Sequence, residues 1–326
     1  MGRPELITGW GYVKESLSEI RPPNSEFSTD DIGDLTGQVH LVTGGNTGIG
    51  EQCVRVLASK GAKVYLACRN KEKGEAAIKR IGQGDIHLLI LDLGSVKAAH
   101  AAAEEFRSRE KKLHVLYNSA GVMAPPTGSR TSDNLELQFG TNVLGHYVFT
   151  QGILPVLLQT AKSAPKGQVR IVNTSSSGHA ILPKEGINFD SLTTLQSQAY
   201  LGKADIFIKY GQSKLGNVLL TNEWAARHPE LIVLSCNPGN IKSDLQRTTG
   251  SLLNMFISPG LFPVSKGALT QLWGGTSPTI DQSKSGSYLI PWARFGHVKT
   301  PFAVDAALQS KVVDWCEAES KKLLSA

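Results

Sequence analysis

The sequence predicts a doubly wound α/β fold: a seven-stranded, mainly parallel sheet with helices on both faces, forming a single domain over residues 37–326. Three observations carry that expectation. Short apolar runs of strand length alternate along the chain with segments of helical periodicity, the pattern of right-handed βαβ units. The first strand, residues 39–43, runs into Gly44-Gly45-Asn46-Thr47-Gly48-Ile49-Gly50, and a helical pattern follows to residue 60. The chain has 326 residues, 40% of them hydrophobic, which is enough for one large core.

Each element follows in order. Residues 1–36 are polar, carry Pro22-Pro23 and the acids Asp30, Asp31 and Asp34, and read as an extension packed over the domain. In the glycine turn, small residues let the backbone close tightly and present N–H groups and a helix N-terminus to a pyrophosphate. Residues 63–68 are the second strand. Where an acid would accept from a ribose 2′-OH stands Cys68, and Arg69 follows. An acid repels a 2′-phosphate and a guanidinium binds it, so the reading favours NADP over NAD. Helices over 71–81 and 95–109 flank a third strand, 86–91, which ends at Asp92-Leu93. A fourth, 113–117, ends at Asn118-Ser119-Ala120-Gly121. Ligands bind at such carboxyl ends.

A helical stretch over 132–160 contains Asn142, costly inside a helix unless it is bonded. The fifth strand, 169–172, delivers Asn173-Thr174-Ser175-Ser176 to the same edge. A loop over 177–206 precedes a helix running to residue 227. The sixth strand, 231–235, leads into Asn237-Pro238-Gly239-Asn240-Ile241-Lys242-Ser243. Residues 245–263 hold Leu252, Leu253, Met255, Phe256, Ile257, Leu261 and Phe262. They read as a lid, as a packing or subunit contact, or, as a minor reading, as a peripheral membrane contact. A helix over 264–274, a short strand over 287–290 and a helix over 304–323 complete the chain.

Composition excludes several classes. The net charge of +6 is interspersed, with no basic run interleaved with aromatics, so nucleic acid is not an expected partner. Cys53, Cys68, Cys236 and Cys316 lack metal spacing and read as reduced thiols of an intracellular protein. No metal is expected, and the lone histidines His40, His87, His114, His146, His179 and His297 read as structural. No stretch approaches the ~20 apolar residues of a spanning helix. The first residues form no signal region, and Leu6 stands where a myristoylation signal wants Ser or Thr. A cytoplasmic protein is the expectation. Asn173-Thr174-Ser175 matches a glycosylation sequon but ends an apolar strand.

Tyr210-Gly211-Gln212-Ser213-Lys214 holds the chemistry. Tyr and Lys four apart on a helix share a face, so an ammonium lies near a phenol and favours phenolate. Such a phenol can give a proton to a carbonyl oxygen or take one from an alcohol.

Together these residues resemble the short-chain dehydrogenase/reductase superfamily over roughly residues 37–290, a Rossmann-type fold. The motifs stand in family order: Thr43-Gly44-x-x-x-Gly48-Ile49-Gly50, Asn118-x-Ala120-Gly121, Asn142, Ser176, Tyr210-x-x-x-Lys214 and Pro238-Gly239. Residues 64–75 look like the retinol-dehydrogenase-like branch, and Gly140-Thr141-Asn142-Val143-Leu144-Gly145-His146 and Asn237-Pro238-Gly239-Asn240-Ile241-Lys242 look like its fungal members. The resemblance implies that Tyr210 is the general acid/base and that Lys214 lowers its pKa and holds the nicotinamide ribose. Ser176 would donate to the substrate oxygen, and Asn142 would order Lys214 through a water relay. Gly44, Asn46, Thr47, Gly48, Ile49 and Gly50 would surround the phosphates and Arg69 the 2′-phosphate. Asp92 and Leu93 would hold the adenine, Asn118 and Ala120 the ribose and its surroundings, and Ile241 and Ser243 the nicotinamide end.

Three departures stand out. Ser119 replaces the usual second Asn of Asn-Asn-Ala-Gly, and Ser243 stands where Thr is commoner. The gap from Ser176 to Tyr210 (210 − 176 = 34) exceeds that of the classical members and enlarges the loop over the pocket. The expected function is an NADP(H)-dependent oxidoreductase interconverting a carbonyl and an alcohol on a small lipophilic substrate, as monomer or homodimer. The alternative is a non-catalytic NADP-binding regulator of the same fold, which usually loses the Tyr or the Lys. An epimerase or dehydratase would want a larger C-terminal domain than the residues after Gly239 supply.

Overall fold

The computed structural model describes residues 4–194, 204–242 and 260–326. Its sheet runs in the order β3-β2-β1-β4-β5-β6-β7-β8. The strands are β1 Val39–Thr43, β2 Lys63–Cys68, β3 Asp85–Ile90, β4 Val115–Asn118, β5 Arg170–Thr174, β6 Ile232–Cys236, β7 Tyr288–Ile290 and β8 Arg294–Gly296. The first seven are parallel, and β8 returns antiparallel on β7. The sequence reading expected seven strands. The eighth is three residues long and ends on a glycine, too short to show an apolar run. Strands β1, β5 and β6 are buried along their whole length, as a sheet covered on both faces requires.

One face is covered by α2 Gly48–Ser59, α3 Lys71–Ile81 and a later helix, Val264–Thr276. The other is covered by α4 Val96–Arg109 and by α5 His146–Ala161, α6 Asp205–Arg227 and a C-terminal helix, Ala306–Ser325. In chain order the two remaining helices are α7 Val264–Thr276 and α8 Ala306–Ser325. The order of strands reverses between β1 and β4, where the crossovers diverge and ligands of such sheets are expected to bind at the carboxyl edge.

Two stretches differ from expectation. The helix expected over 132–160 starts at Leu137, because Asn134 takes a left-handed turn (φ 64°) beside the Arg130–Glu136 bridge. It then passes through a turn of π-helix, Gly140–Gly145, before α5. A Cβ on Gly145 would lie 2.2 Å from the Leu93 carbonyl oxygen, so only glycine lets this wide turn reach the end of β3. Within its described residues, 177–194 and 204–206, the loop expected over 177–206 contains two single helical turns, Ser177–Ala180 and Asp190–Thr193.

Residues before β1 contribute more than a coat. Helix α1, Gly9–Ile20, buries Glu19, and Phe27, Ile32 and Leu35 join the core under α2. Leu6 bridges Val298, and Ile7 N donates to the Val298 carbonyl at 3.1 Å.

Candidate active site

The glycine turn leaves β1 with Gly44 at φ 67°. A Cβ there would sit 2.9 Å from Ala120 Cα, and one on Gly50 would sit 2.4 Å from the Gly44 carbonyl oxygen. The turn is therefore closed by backbone packed against backbone. Gly44 N donates to the Ala67 carbonyl at 2.8 Å, and Thr43 Oγ1 accepts from Ser119 N and Ala120 N, both at 2.9 Å. The Thr43 hydroxyl then has its own proton left for His146 Nε2, 2.9 Å away. That fixes the remaining proton of His146 on Nδ1, which donates to the Asn142 carbonyl at 3.1 Å. Burial drives the His146 pKa down to about 4, so the ring is neutral, as this chain of bonds needs.

Tyr210 and Lys214 share the inner face of α6. The Lys214 Nζ lies 5.5 Å from the Tyr210 ring centroid and donates to the Thr174 carbonyl at 3.0 Å. Ser176 hydrogen-bonds the Tyr210 phenol, and its Oγ accepts from Gly178 N at 3.1 Å. Two glycines allow this approach. A Cβ on Gly211 would lie 1.9 Å from the Ile181 carbonyl oxygen, and one on Gly178 would lie 3.3 Å from Tyr210 Cε1. Asn142 closes the group: its Oδ1 accepts from Val122 N at 2.8 Å, and its Nδ2 donates to the Val122 carbonyl and to Ser213 Oγ, each at 3.0 Å. The missing Cβ of Gly121 marks how near Asn142 is to the lysine, at 3.1 Å from Asn142 Oδ1 and 3.7 Å from Lys214 Nζ.

The electrostatics differ from the simple reading of a phenol lowered by its lysine. Burial pushes Tyr210 up to about 12, against a lowering by its bond to Ser176. Burial likewise lowers Lys214 to about 8. Desolvation outweighs the lysine's charge because both groups are buried side by side. At neutral pH the phenol keeps its proton and the amine its charge.

A second network stands behind Ser176. Lys299 N donates to His179 Nε2 at 2.9 Å, so the ring carries its proton on Nδ1 and donates to the Ser176 carbonyl at 2.7 Å. The Lys299 ammonium pairs with Glu19 at 2.6 Å, each side chain 3% exposed. Glu19 accepts from Asn237 Nδ2 at 2.6 Å, at the end of β6. Glu19 lies in the extension and Lys299 beyond the last expected strand, so no motif spacing pointed to either. His179, read as structural, holds the turn that carries Ser176.

The other expected residues fall as follows. Ile49 and Ile241 converge, since a Cβ on Gly267 would lie 3.1 Å from Ile49 Cδ1 and 2.6 Å from Ile241 Cγ1. Asn46 and Thr47 lie in the turn. The Asn46 carbonyl accepts from Arg80 Nη2 at 3.2 Å, and Arg80 also grips Glu51 at 2.6 Å. Arg80 was not anticipated, because it belongs to the far end of α3. Arg69 is exposed at the end of β2, and Cys68 is turned inward. Asp92 Oδ1 accepts from Gly94 N at 2.9 Å, and the Leu93 side chain is buried. The Asn118 side chain turns along the sheet edge, donating to Thr150 Oγ1 at 3.1 Å and Asn173 Oδ1 at 2.8 Å. Ser243, with residues 244–259 of the apolar stretch, lies outside the described residues, whereas Phe262 packs edge-on against Trp292 at 5.0 Å. Among the described residues no group of three or more His, Cys, Asp or Glu is placed to hold a metal, and no helix is long and apolar enough to cross a membrane.

Residues 38–185 match the model of the short chain dehydrogenase family. A short-chain dehydrogenase/reductase of Armillaria gallica is 42% identical over 316 residues, covering 95% of this chain and 99% of the relative. A solved but uncharacterized protein from Mycobacterium paratuberculosis superposes with a TM-score of 0.70 at 26% identity, covering 91% of this chain and 98% of that one. A 3-ketoacyl-(acyl-carrier-protein) reductase from Brucella melitensis, solved with NADH, matches with a TM-score of 0.58 at 23% identity over 79% of this chain and 97% of that one, a likeness of fold.

Proposed function

The chain belongs to the short-chain dehydrogenase/reductase family, and from that premise we propose that it is an NADP(H)-dependent oxidoreductase interconverting a carbonyl and an alcohol on a small lipophilic substrate. The observation that carries the reading is the Tyr210 phenol bonded to Ser176 with the Lys214 ammonium 5.5 Å from its ring. Tyr210 holds its proton at neutral pH, the state needed to protonate a carbonyl oxygen during reduction. Ser176 donates to the same oxygen and orients it. Lys214 would keep a positive charge beside the developing oxyanion and would hold the nucleotide's ribose. Asn142 holds the Val122 backbone and, through Ser213, the start of the Tyr210 turn.

A nicotinamide dinucleotide would fit at this turn, because glycines let the backbone close tightly against Ala120 and leave the N-terminus of α2 with no side-chain cap over it. Gly44 to Gly50 would hold its pyrophosphate, Asp92 and Leu93 its adenine, Asn118 and Ala120 the surroundings of its ribose, and Ile241 and Ser243 the nicotinamide end. Exposed Arg69, with no acid at the end of β2, would take a 2′-phosphate. When bound, the nicotinamide supplies or accepts the hydride; the residues position, polarise and move the proton. The long insertion between Ser176 and Tyr210, and the likeness of residues 64–75 to the retinol-dehydrogenase-like branch, support a lipophilic substrate.

Initial rates of NADPH and NADH oxidation against lipophilic aldehydes and ketones, retinal among them, test the reading, with Tyr210→Phe as control. Turnover with NADPH that falls by about 10³-fold in the control is expected. Turnover retained in the control refutes the assignment of Tyr210. As pH rises through about 8 Lys214 loses its charge, so the cofactor KM should rise there and stay flat below it.

A further inference from the structure

Helix α1 is turned the wrong way round for a helix packed on an apolar core. Trp10, Val13, Leu17 and Ile20 follow a 3-4-3 spacing that puts them on one face, and that face points to solvent: they are 80%, 41%, 62% and 53% exposed. Its acids point inward. Glu15 pairs with His297 at 2.7 Å, and Glu19 pairs with Lys299 at 2.6 Å. The Ser18 carbonyl accepts from Arg294 Nη2 at 3.2 Å, which fixes the helix from a third side. The charges left on the outer face are Lys14 and Arg21, both exposed and both cationic, flanking the apolar stripe.

An apolar stripe with aromatic and aliphatic side chains, edged by cations, is the composition of a helix that lies in the plane of an anionic membrane surface. A second copy is a poorer occupant. The helix is about 18 Å long, and four side chains on it offer roughly half of the ~800 Å² per partner that a stable dimer buries. We propose that the outer face of α1 docks on a bilayer containing anionic phospholipid, with Trp10, Val13, Leu17 and Ile20 in the headgroup–acyl boundary and Lys14 and Arg21 on the phosphates.

The placement bears on the candidate site. Through Glu19, α1 is bonded to Asn237 at the end of β6, the sheet edge that also carries Ser176 and whose Thr174 carbonyl accepts from Lys214. A docked α1 would bring this sheet edge toward the bilayer, where a lipophilic carbonyl compound is dissolved. That consequence rests on the function proposed above; the docking itself does not.

Co-sedimentation of the full chain with vesicles of pure phosphatidylcholine, and of phosphatidylcholine with roughly 30% phosphatidylserine, tests the proposal. Binding to the anionic vesicles is expected. It should fall by ~10-fold or more in Trp10→Ser/Leu17→Ser and by about 5-fold for each of Lys14→Glu and Arg21→Glu. The double variant should keep its thermal midpoint and its turnover of a water-soluble aldehyde, so that lost docking and lost catalysis are read separately. No sedimentation with anionic vesicles overturns the proposal, as does undiminished binding of the double variant. A wild-type dimer in analytical ultracentrifugation that becomes monomeric in Trp10→Ser/Leu17→Ser overturns it too, since a second copy would then cover the face.

Discussion

Around the glycine turn the chain is fixed backbone to backbone, whereas around Ser176 it is fixed by side chains drawn from both ends of the sequence. Gly44 abuts Ala120, Gly50 abuts the Gly44 carbonyl, and Thr43 ties the ends of β1 and β4 together, all with neutral groups. On the other wall the Ser176 carbonyl is held by His179, His179 by the Lys299 backbone, and the Lys299 ammonium by Glu19. The first wall depends on the absence of side chains and the second on a buried ion pair. Taking two charges out of water is costly, and their attraction offsets the cost only while both are present. The second wall should therefore be the one a single substitution breaks.

Lys299→Met tests this with the largest effect. It leaves Glu19 buried without its counter-charge and should cost about 3–5 kcal/mol in denaturant melts. Glu19→Gln combined with Lys299→Met should recover most of that loss, because the charge is removed with its partner. If the single and double variants are equally stable, the ion pair does not hold the wall.

Acid should strain both walls through their histidines, since burial drives His146 and His179 alike to about 4. Unfolded, each titrates near 6.5. Between about 6.5 and 4 the unfolded chain binds protons that the folded chain refuses, so stability falls as pH falls through that window. The loss approaches about 3 kcal/mol for each ring at its lower end. Melts at pH 7, 5.5 and 4.5 measure it, and a flat profile would show that the rings protonate without breaking their bonds.

The same contrast explains what the sequence discloses. Parallel strands buried on both faces leave unbroken apolar runs, so β1, β2, β5 and β6 are found within a residue or two. Backbone recognition demands glycines at fixed spacing, so the turn at Gly44–Gly50 is visible at once. Tyr210 and Lys214 are visible because one helical turn relates them. Glu19, His179 and Lys299 are separated by long stretches of chain, and nothing in the local pattern distinguishes a buried Glu or Lys from a solvated one. The Asn118 side chain donates to Thr150 and Asn173, tying β4 to α5 and to β5, and no spacing reveals those bonds. Strand β8 is too short for periodicity, and glycine at 211 gives no hint that a carbonyl lies where its Cβ would be.

Gly50→Ala probes the neutral wall. Its methyl would lie 2.4 Å from the Gly44 carbonyl oxygen, and neither backbone is free to yield. Overpacking of this kind costs about 1–3 kcal/mol. Because the shift falls on the turn itself, affinity for both nucleotides should drop along with the thermal midpoint. Affinity kept at the wild-type level would mean that the turn opens without reaching the ligand.

The smallest effect separates two arginines that flank the same turn. Arg69 is exposed at the end of β2, whereas Arg80 is spent on Glu51 and on the Asn46 carbonyl. A charge-assisted bond from an exposed guanidinium to a 2′-phosphate is worth roughly 1–2 kcal/mol, so Arg69→Ala should weaken NADPH about tenfold and leave NADH unchanged. Arg80→Ala removes a brace rather than a ligand contact and should weaken both nucleotides by the same small factor. Titration of the two variants with the two nucleotides reads the difference directly. Equal losses for NADPH and NADH in Arg69→Ala would reduce it to a second brace and remove the basis for preferring the phosphorylated cofactor.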